Sequence, residues 1–196
     1  MSLLLASTSR FRAELLRRLG VAFDQAAPSF DERAHDHRFG ELGAEAFAEL
    51  LARGKAESLA SNHPGHHILA ADQLAVLDEG EGPTLLHKPS SPEAAVEQLL
   101  RLSGREHQLI TAVVLRAPDG RVGLGFDRHL MRMRSFERAE AEAYVALRQP
   151  LDSVGAYHIE DEGIALFEAI EGRDFTGIIG LPLLTVAPML RRAGLL

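Results

Sequence analysis

Apolar residues along the chain fall into short unbroken runs that alternate with longer helical stripes. Leu3-Leu4-Leu5-Ala6 is a continuous run, the pattern of a strand covered on both faces. After Ser7-Thr8-Ser9, the residues Phe11, Leu15, Leu16 and Leu19 recur on one side of a helix, with Ser9 as N-cap and Gly20 at its end. Val21 to Ala26 reads as a second strand closed by Pro28, and the polar stretch Phe30 to Gly40 as a loop. Glu41 to Ala60, rich in Ala, Leu and Glu, is the longest predicted helix. Ile68 to Leu77 predicts a strand, apolar except at Asp72-Gln73, and the Gly- and Pro-containing Asp78 to Leu86 predicts a loop. Ser91-Pro92-Glu93 opens a helix that runs to Leu102 and ends at Ser103-Gly104. Gln108 to Ala117 and Arg121 to Met133 flank Pro118-Asp119-Gly120 and predict an antiparallel hairpin. Ser135 caps a helix over Glu137 to Leu147, and a last helix lies around Thr185 to Arg192. This succession predicts an α/β fold with a mixed sheet.

Composition narrows the function. The chain has 196 residues, 46% hydrophobic and 25% charged, which suits a soluble globular protein with an ample core. It has no cysteine, which removes disulfides, thiolate zinc sites, iron–sulfur clusters and a cysteine nucleophile together, and is compatible with a reducing cytosol. Lys and Arg total 21 against 28 Asp and Glu, a net charge of −7, with no basic run. A nucleic-acid binder is therefore not expected, and an anionic ligand would have to be met by cations gathered locally. No apolar stretch approaches the ~20 residues that span a membrane. Met1 to Ala6 is too short, and too soon followed by Arg10, for a signal peptide, so a cytoplasmic location is expected.

Chemistry concentrates at two places. Ser7-Thr8-Ser9-Arg10-Phe11-Arg12 sets hydroxyls, free backbone N–H groups and two guanidinium groups at a helix N-terminus, which suits a phosphate; the same pattern also fits a plain Ser-capped helix. Asp72 is the stronger signal, because a carboxyl amid apolar strand residues is costly unless it is paired, metal-bound or at a wet strand end. Taken singly, Glu32, Lys55 and Lys88 read as solvated residues. Asp72 with Glu32 could hold a hard divalent cation, which would let an acidic protein accept a polyphosphate. His35-Asp36-His37 and His66-His67 lack the spacing of a zinc site and read as exposed loop histidines. Ser153 has no nucleophile-elbow context. Glu168, Glu171 and Asp174 read as a solvated acidic turn.

Together these segments resemble the Maf family of nucleoside triphosphate pyrophosphatases, septum-formation-inhibitor-like proteins, from Leu3 to about Arg192. The resemblance rests on the order and spacing of Leu5-Ala6-Ser7-Thr8-Ser9, Asp31-Glu32, Lys55-Ala56, Ala71-Asp72-Gln73, Lys88-Pro89, Ser103-Gly104, Thr111, Gly155-Ala156-Tyr157, Glu171-Gly172 and Ile179-Gly180-Leu181-Pro182. It implies one Maf-like domain over the whole chain, in a two-lobed, inosine-triphosphatase-like α/β fold with a long mixed sheet and a central cleft. It implies cleavage between the α and β phosphates, a magnesium or manganese ion, and a homodimer. Asp72 matches the family's proton acceptor; Ser7, Ser9, Arg12, Glu32, Lys55 and Lys88 match positions around the triphosphate and metal, with Glu32 and Asp72 as metal ligands.

Phe11, Gln73 and Glu160 match base-selective positions, and this set is similar to that of members acting on 7-methyl-GTP. Members acting on dTTP and UTP show Arg, Thr and Gln there. A carboxylate at Glu160 can accept both N–H donors of a guanine edge, and the Phe11 ring suits a cationic base, though Phe11 also fits an amphipathic helix core. The alternatives are a dTTP/UTP pyrophosphatase and a nucleotide-binding regulator of cell division. The sequence departs from the family at Arg10, where Pro is usual, and at Ala13, where a second Arg is usual.

Overall fold

The Leu3–Ala6 run forms the inner part of strand β1 (Ser2–Ala6) in a computed structural model that describes residues 2–196. β1 pairs in parallel with β2 (Asp24–Ala26) and with β3 (His66–Asp78), so that Leu4 lies opposite both Asp24 and Ile68. The other strands are β4 (Pro83–Leu86), β5 (Glu106–Arg116), β6 (Val122–Met133) and β7 (Phe167–Gly172). They form a seven-stranded mixed sheet in the order β2-β1-β3-β5-β6-β7, with β4 antiparallel to β3 and β7 antiparallel to β6. The predicted hairpin is present: Ala117 N–H donates to Arg121 O across the turn, and Met133 N–H to Arg105 O at the far end. The helices are α1 (Arg10–Arg17), α2 (Phe39–Ala60), α3 (Pro92–Leu102), α4 (Arg138–Arg148), α5 (Phe175–Ile179) and α6 (Leu183–Arg192).

The chain divides into two compact units. One comprises the chain up to Gln73, with Ile110–Asp127 and Asp174–Leu196; the other comprises Leu74–Leu109 and Arg128–Arg173. In the first unit, side chains alternate across the sheet as extended backbone requires. Leu3 and Leu5 of β1, Leu69 and Ala71 of β3, and Val113 and Leu115 of β5 pack against Ala13, Leu15 and Leu16 of α1 and Val186, Met189 and Leu190 of α6. The alternate β3 residues, Ile68, Ala70 and Asp72, are also buried, and Asp72 meets Lys55 of α2. Each fully buried leucine of β1 contributes about 2 kcal/mol, enough to hold a five-residue strand that is covered on both sides. In the second unit, Ala95, Val96, Leu99 and Leu102 of α3 and Ala141, Tyr144 and Val145 of α4 are buried. Ser103 closes α3 by donating to Phe136 O and accepting from Phe136 N–H.

Several expectations change. The second strand is only Asp24–Ala26. The Phe30 to Gly40 loop holds a 3₁₀ turn at Arg33–Arg38, and α2 starts at Phe39 with a break at Gly43, whose φ of 73° and ψ of 170° interrupt the helix. The Asp78 to Leu86 loop contains β4, with Pro83 tolerated at its first position. Glu137, not Ser135, is the N-cap of α4. His66 and His67 belong to β3, and His67 is buried. Asp174 is not solvated: it is buried as the N-cap of α5, accepting from Thr176 N–H, the Thr176 hydroxyl and Leu184 N–H.

Candidate active site

Asp72 is the seventh residue of β3 and lies almost wholly out of water, at 4% exposure. Burying an ion costs several kcal/mol, so a partner is required. Lys55 supplies it from α2, itself 6% exposed, with its ammonium bonded to Asp72 Oδ1. The same Nζ lies 3.0 Å from Glu32 Oε1, on the turn before the 3₁₀ segment, and the Glu32 side chain is 47% exposed. One buried carboxylate and one wet carboxylate therefore converge on a single cation. Burial pushes the Asp72 carboxyl above its ordinary range; Lys55 opposes that shift, Glu32 adds to it, and Arg12 opposes it.

Arg12 stands in the first turns of α1, where Ser9 caps the helix by accepting from Arg12 N–H. Its Nε donates to Gly180 O at 2.9 Å, which fixes the guanidinium plane. Burial pulls its pKa down, while Asp72 and then Glu32 pull it up. Gly180 has φ +113°, a conformation open to glycine, and a Cβ there would lie 3.3 Å from Arg12 Nε. Ser7 is buried; its hydroxyl oxygen accepts from Ser9 N–H at 3.1 Å, and its carbonyl accepts from Gln25 Nε2 at 2.7 Å. Both serines thus shape the β1–α1 turn, and each hydroxyl keeps an O–H to donate.

Phe11 is half-buried, and the Arg10 guanidinium lies 4.6 Å above its ring. Ala13 points into the hydrophobic core, so this position offers nothing to a phosphate. Gln73, next to Asp72, points to the opposite face of the sheet, where its amide nitrogen meets the carbonyls of Gly177 and Ile178. Ser7, Ser9, Phe11, Arg12, Glu32, Lys55, Asp72 and Gln73 all belong to the first unit, whereas Lys88 and Glu160 belong to the second. Lys88 is exposed in the loop after β4. Glu160 is exposed in the loop after α4, and partial desolvation by the surrounding chain moves its carboxyl above the ordinary range. Tyr144 anchors that loop by accepting from His158 N–H at 2.9 Å.

The donor set bears on a metal. Among the described residues no three His, Asp or Glu side chains form a metal-holding cluster. Glu32 and Asp72 nevertheless share one positive charge, and magnesium is commonly held by one or two carboxylates with substrate phosphates completing its shell. The residues fit a divalent ion of that kind. The sequence did not announce Gly177 or Asp174 as parts of this region, and Gly180 stood out only within the Ile179-Gly180-Leu181-Pro182 segment, with no sign of its contact with Arg12. Gly180 acts through its carbonyl, and its local sequence signal is a Gly two residues before a Pro, the mark of a helix end.

The family model for Maf-like proteins matches residues 2–193. The chain belongs to the Maf-like family. A Pseudomonas putida protein named 7-methyl-GTP pyrophosphatase is 40% identical over 99% of this Maf-like chain and 97% of its own length. Proteins of the same name from Bdellovibrio bacteriovorus and Xanthomonas campestris are 40% and 42% identical, each over 98% of this chain and over 97% and 96% of their own lengths. Among solved structures, the Staphylococcus aureus Ham1 protein is similar over 83% of this chain and 90% of its own, with a TM-score of 0.45 and 15% identity. Among the described residues, no helix is long and apolar enough to cross a membrane.

Proposed function

We propose that this Maf-like chain is a nucleoside triphosphate pyrophosphatase whose preferred substrate is 7-methyl-GTP. The observation that carries the reading is the buried Asp72 carboxylate, held by a lysine that also reaches the exposed Glu32. Full-length relatives at about 40% identity bear the name of that activity.

Asp72 takes a proton from the attacking water. Its upward-shifted pKa makes it a better base than an ordinary carboxylate, and Lys55 opposes that rise. The water oxygen forms a bond to the α phosphorus, the bond from that phosphorus to the bridging oxygen breaks, and pyrophosphate leaves. Such transfers depend on positioning and charge neutralisation more than on covalent help. Arg12, Lys55 and Lys88 hold phosphate oxygens, and the hydroxyls of Ser7 and Ser9 with the N-terminal N–H groups of α1 donate to them. Glu32 and Asp72 would hold a magnesium or manganese ion. When bound, that ion supplies positive charge to the triphosphate and acidifies the attacking water.

Glu160 accepts from the Watson–Crick edge of guanine, and the Phe11 ring carries the cationic methylated base. The ring already takes a cation, the Arg10 guanidinium, so a charged base would replace or join it. The same reading places the protein in the cytoplasm as a homodimer that clears modified nucleotides.

Pyrophosphate release over a nucleotide panel with magnesium or manganese tests the proposal. Highest kcat/KM for 7-methyl-GTP is expected. Preference for UTP or dTTP would remove the assignments of Phe11 and Glu160. Tight nucleotide binding without release would favour a regulator over an enzyme.

A further inference from the structure

The segment that leads into Glu32 is fastened to α2 on either side of Lys55. Beyond Lys55, Ser58 Oγ accepts from Ser29 N–H at 3.2 Å and donates to Lys55 O at 2.8 Å. Before Lys55, the half-buried Phe30 lays its ring on Gly54. The His35 imidazole stacks on the same ring, with centroids 5.0 Å apart and planes 11° from parallel. Between Phe30 and His35 the chain is closed by local bonds: Asp31 Oδ1 accepts from Ala34 N–H at 3.3 Å, and Glu32 O accepts from His35 N–H at 3.1 Å. All of these residues lie in one unit.

Gly54 makes the ring contact possible. It stands in the interior of α2, where glycine is a poor helix former. A Cβ there would fall far inside van der Waals contact with three carbons of the Phe30 ring, Cδ2, Cε2 and Cζ. Without one, the ring can rest against the helix backbone. Glu32 follows Phe30 closely in the chain, and Lys55 follows Gly54. The ring contact and the ion pair, with Glu32 Oε1 3.0 Å from Lys55 Nζ, therefore close one short loop between the two segments.

We infer that Phe30 and Gly54 are positioning residues: the ring seated on the bare helix backbone sets where Glu32 stands beside Lys55, and so the pair of carboxylates offered to a divalent cation. This rests on the proposed function, which makes Glu32 and Asp72 the metal ligands. Groups that orient a metal ligand change metal affinity by about 10- to 100-fold when they are lost. The Lys55–Asp72 pair does not run through Phe30, so a displaced ring should weaken metal binding and spare turnover at saturating metal.

The test measures Mn2+ binding to the full chain by electron paramagnetic resonance, alongside the Mn2+ dependence of pyrophosphate release from 7-methyl-GTP. For Gly54→Ala we expect Mn2+ to bind about tenfold more weakly and half-activation to need about tenfold more metal, with kcat at saturating metal within about twofold. Replacing Phe30 by leucine removes about the volume that the alanine methyl adds. The double variant Gly54→Ala/Phe30→Leu should therefore recover most of the lost Mn2+ affinity. Damage to the helix alone would not be rescued in this way.

A Gly54→Ala chain that binds Mn2+ as tightly as the unaltered one would overturn the inference, and so would a double variant no better than Gly54→Ala alone. If Gly54→Ala does not fold, Phe30→Ala carries the test: an about tenfold loss of Mn2+ affinity supports the inference, and an unchanged affinity overturns it. An unaltered chain that binds Mn2+ but releases no pyrophosphate from any nucleotide would refute the proposed activity and leave the positioning role to be decided by binding. An unaltered chain that binds no Mn2+ would remove Glu32 as a metal ligand, and the inference with it.

Discussion

Two buried polar pairs, one in each unit, solve the same desolvation problem in opposite ways. Asp72 of the first unit is met by an ion-pair partner, Lys55, whose ammonium also reaches the exposed Glu32. His107 and Tyr157 of the second unit stay neutral: His107 Nε2 and the tyrosine hydroxyl lie 2.7 Å apart, and the Phe167 ring packs edge-on to Tyr157. Burial lowers His107 to about 4 and raises Tyr157 above its ordinary value, so neither ionises at neutral pH. Burial alone therefore does not mark a reactive site. An acid–base pair that is buried at one end and open to water at the other does.

The comparison can be broken or sharpened by substitution. The largest effect is expected for Asp72→Asn, which keeps the shape and removes the base: turnover should fall at least ~100-fold in a protein that still melts cooperatively. Near-full activity would strip Asp72 of its role. Lys55→Met should lower kcat/KM by about 10- to 100-fold, the rate equivalent of a charged hydrogen bond. It should also move the acid limb of the pH–rate profile upward. Asp72 must be ionised to act and its pKa is already raised, so activity falls as pH drops through that value; losing the cation that opposes the rise shifts the fall to higher pH. An unmoved limb would mean that Asp72 is not the titrating base.

Glu160→Gln should reduce the preference for 7-methyl-GTP over UTP by about tenfold, read from the ratio of kcat/KM values. An unchanged ratio would remove Glu160 from base recognition.

The smallest effect on turnover is expected from the neutral pair. Tyr157→Phe should cost about 1–3 kcal/mol of stability in denaturant titration and leave kcat where it was. A collapse of kcat without loss of stability would place this pair in the chemistry and end the contrast. His107 has a lowered native pKa, so the unfolded chain takes up its proton first. Its contribution to stability is complete above 6.5 and is lost as the pH falls toward about 4. His107→Phe should flatten that loss.

Much of this was legible in the pattern of residues. The leucine run of β1, the Ser9 cap and the hairpin around Pro118-Asp119-Gly120 carry strong local signals, and each formed where expected. Asp72 was legible because a carboxyl in an apolar strand has to be explained. β4 was not, since Gly80, Gly82 and Pro83 read as loop and only pairing with β3 makes it a strand. Asp174 read as an exposed acid because α5 is only five residues long and leaves little periodic signal behind its cap, and Leu184, ten residues on, becomes a partner only when the chain folds back.

The sequence by itself determined the alternation of elements, the oddity of a carboxyl at Asp72 within an apolar strand, and the family. Only the tertiary structure decided that Lys55 answers Asp72 and Glu32 together, and that Asp72 and Gln73, neighbours in the chain, work on opposite faces of one strand. The reason is physical. Periodicity and caps are local and leave a trace in residue order, whereas a buried charge finds its partner, and a backbone carbonyl its donor, only through folding of segments distant in sequence.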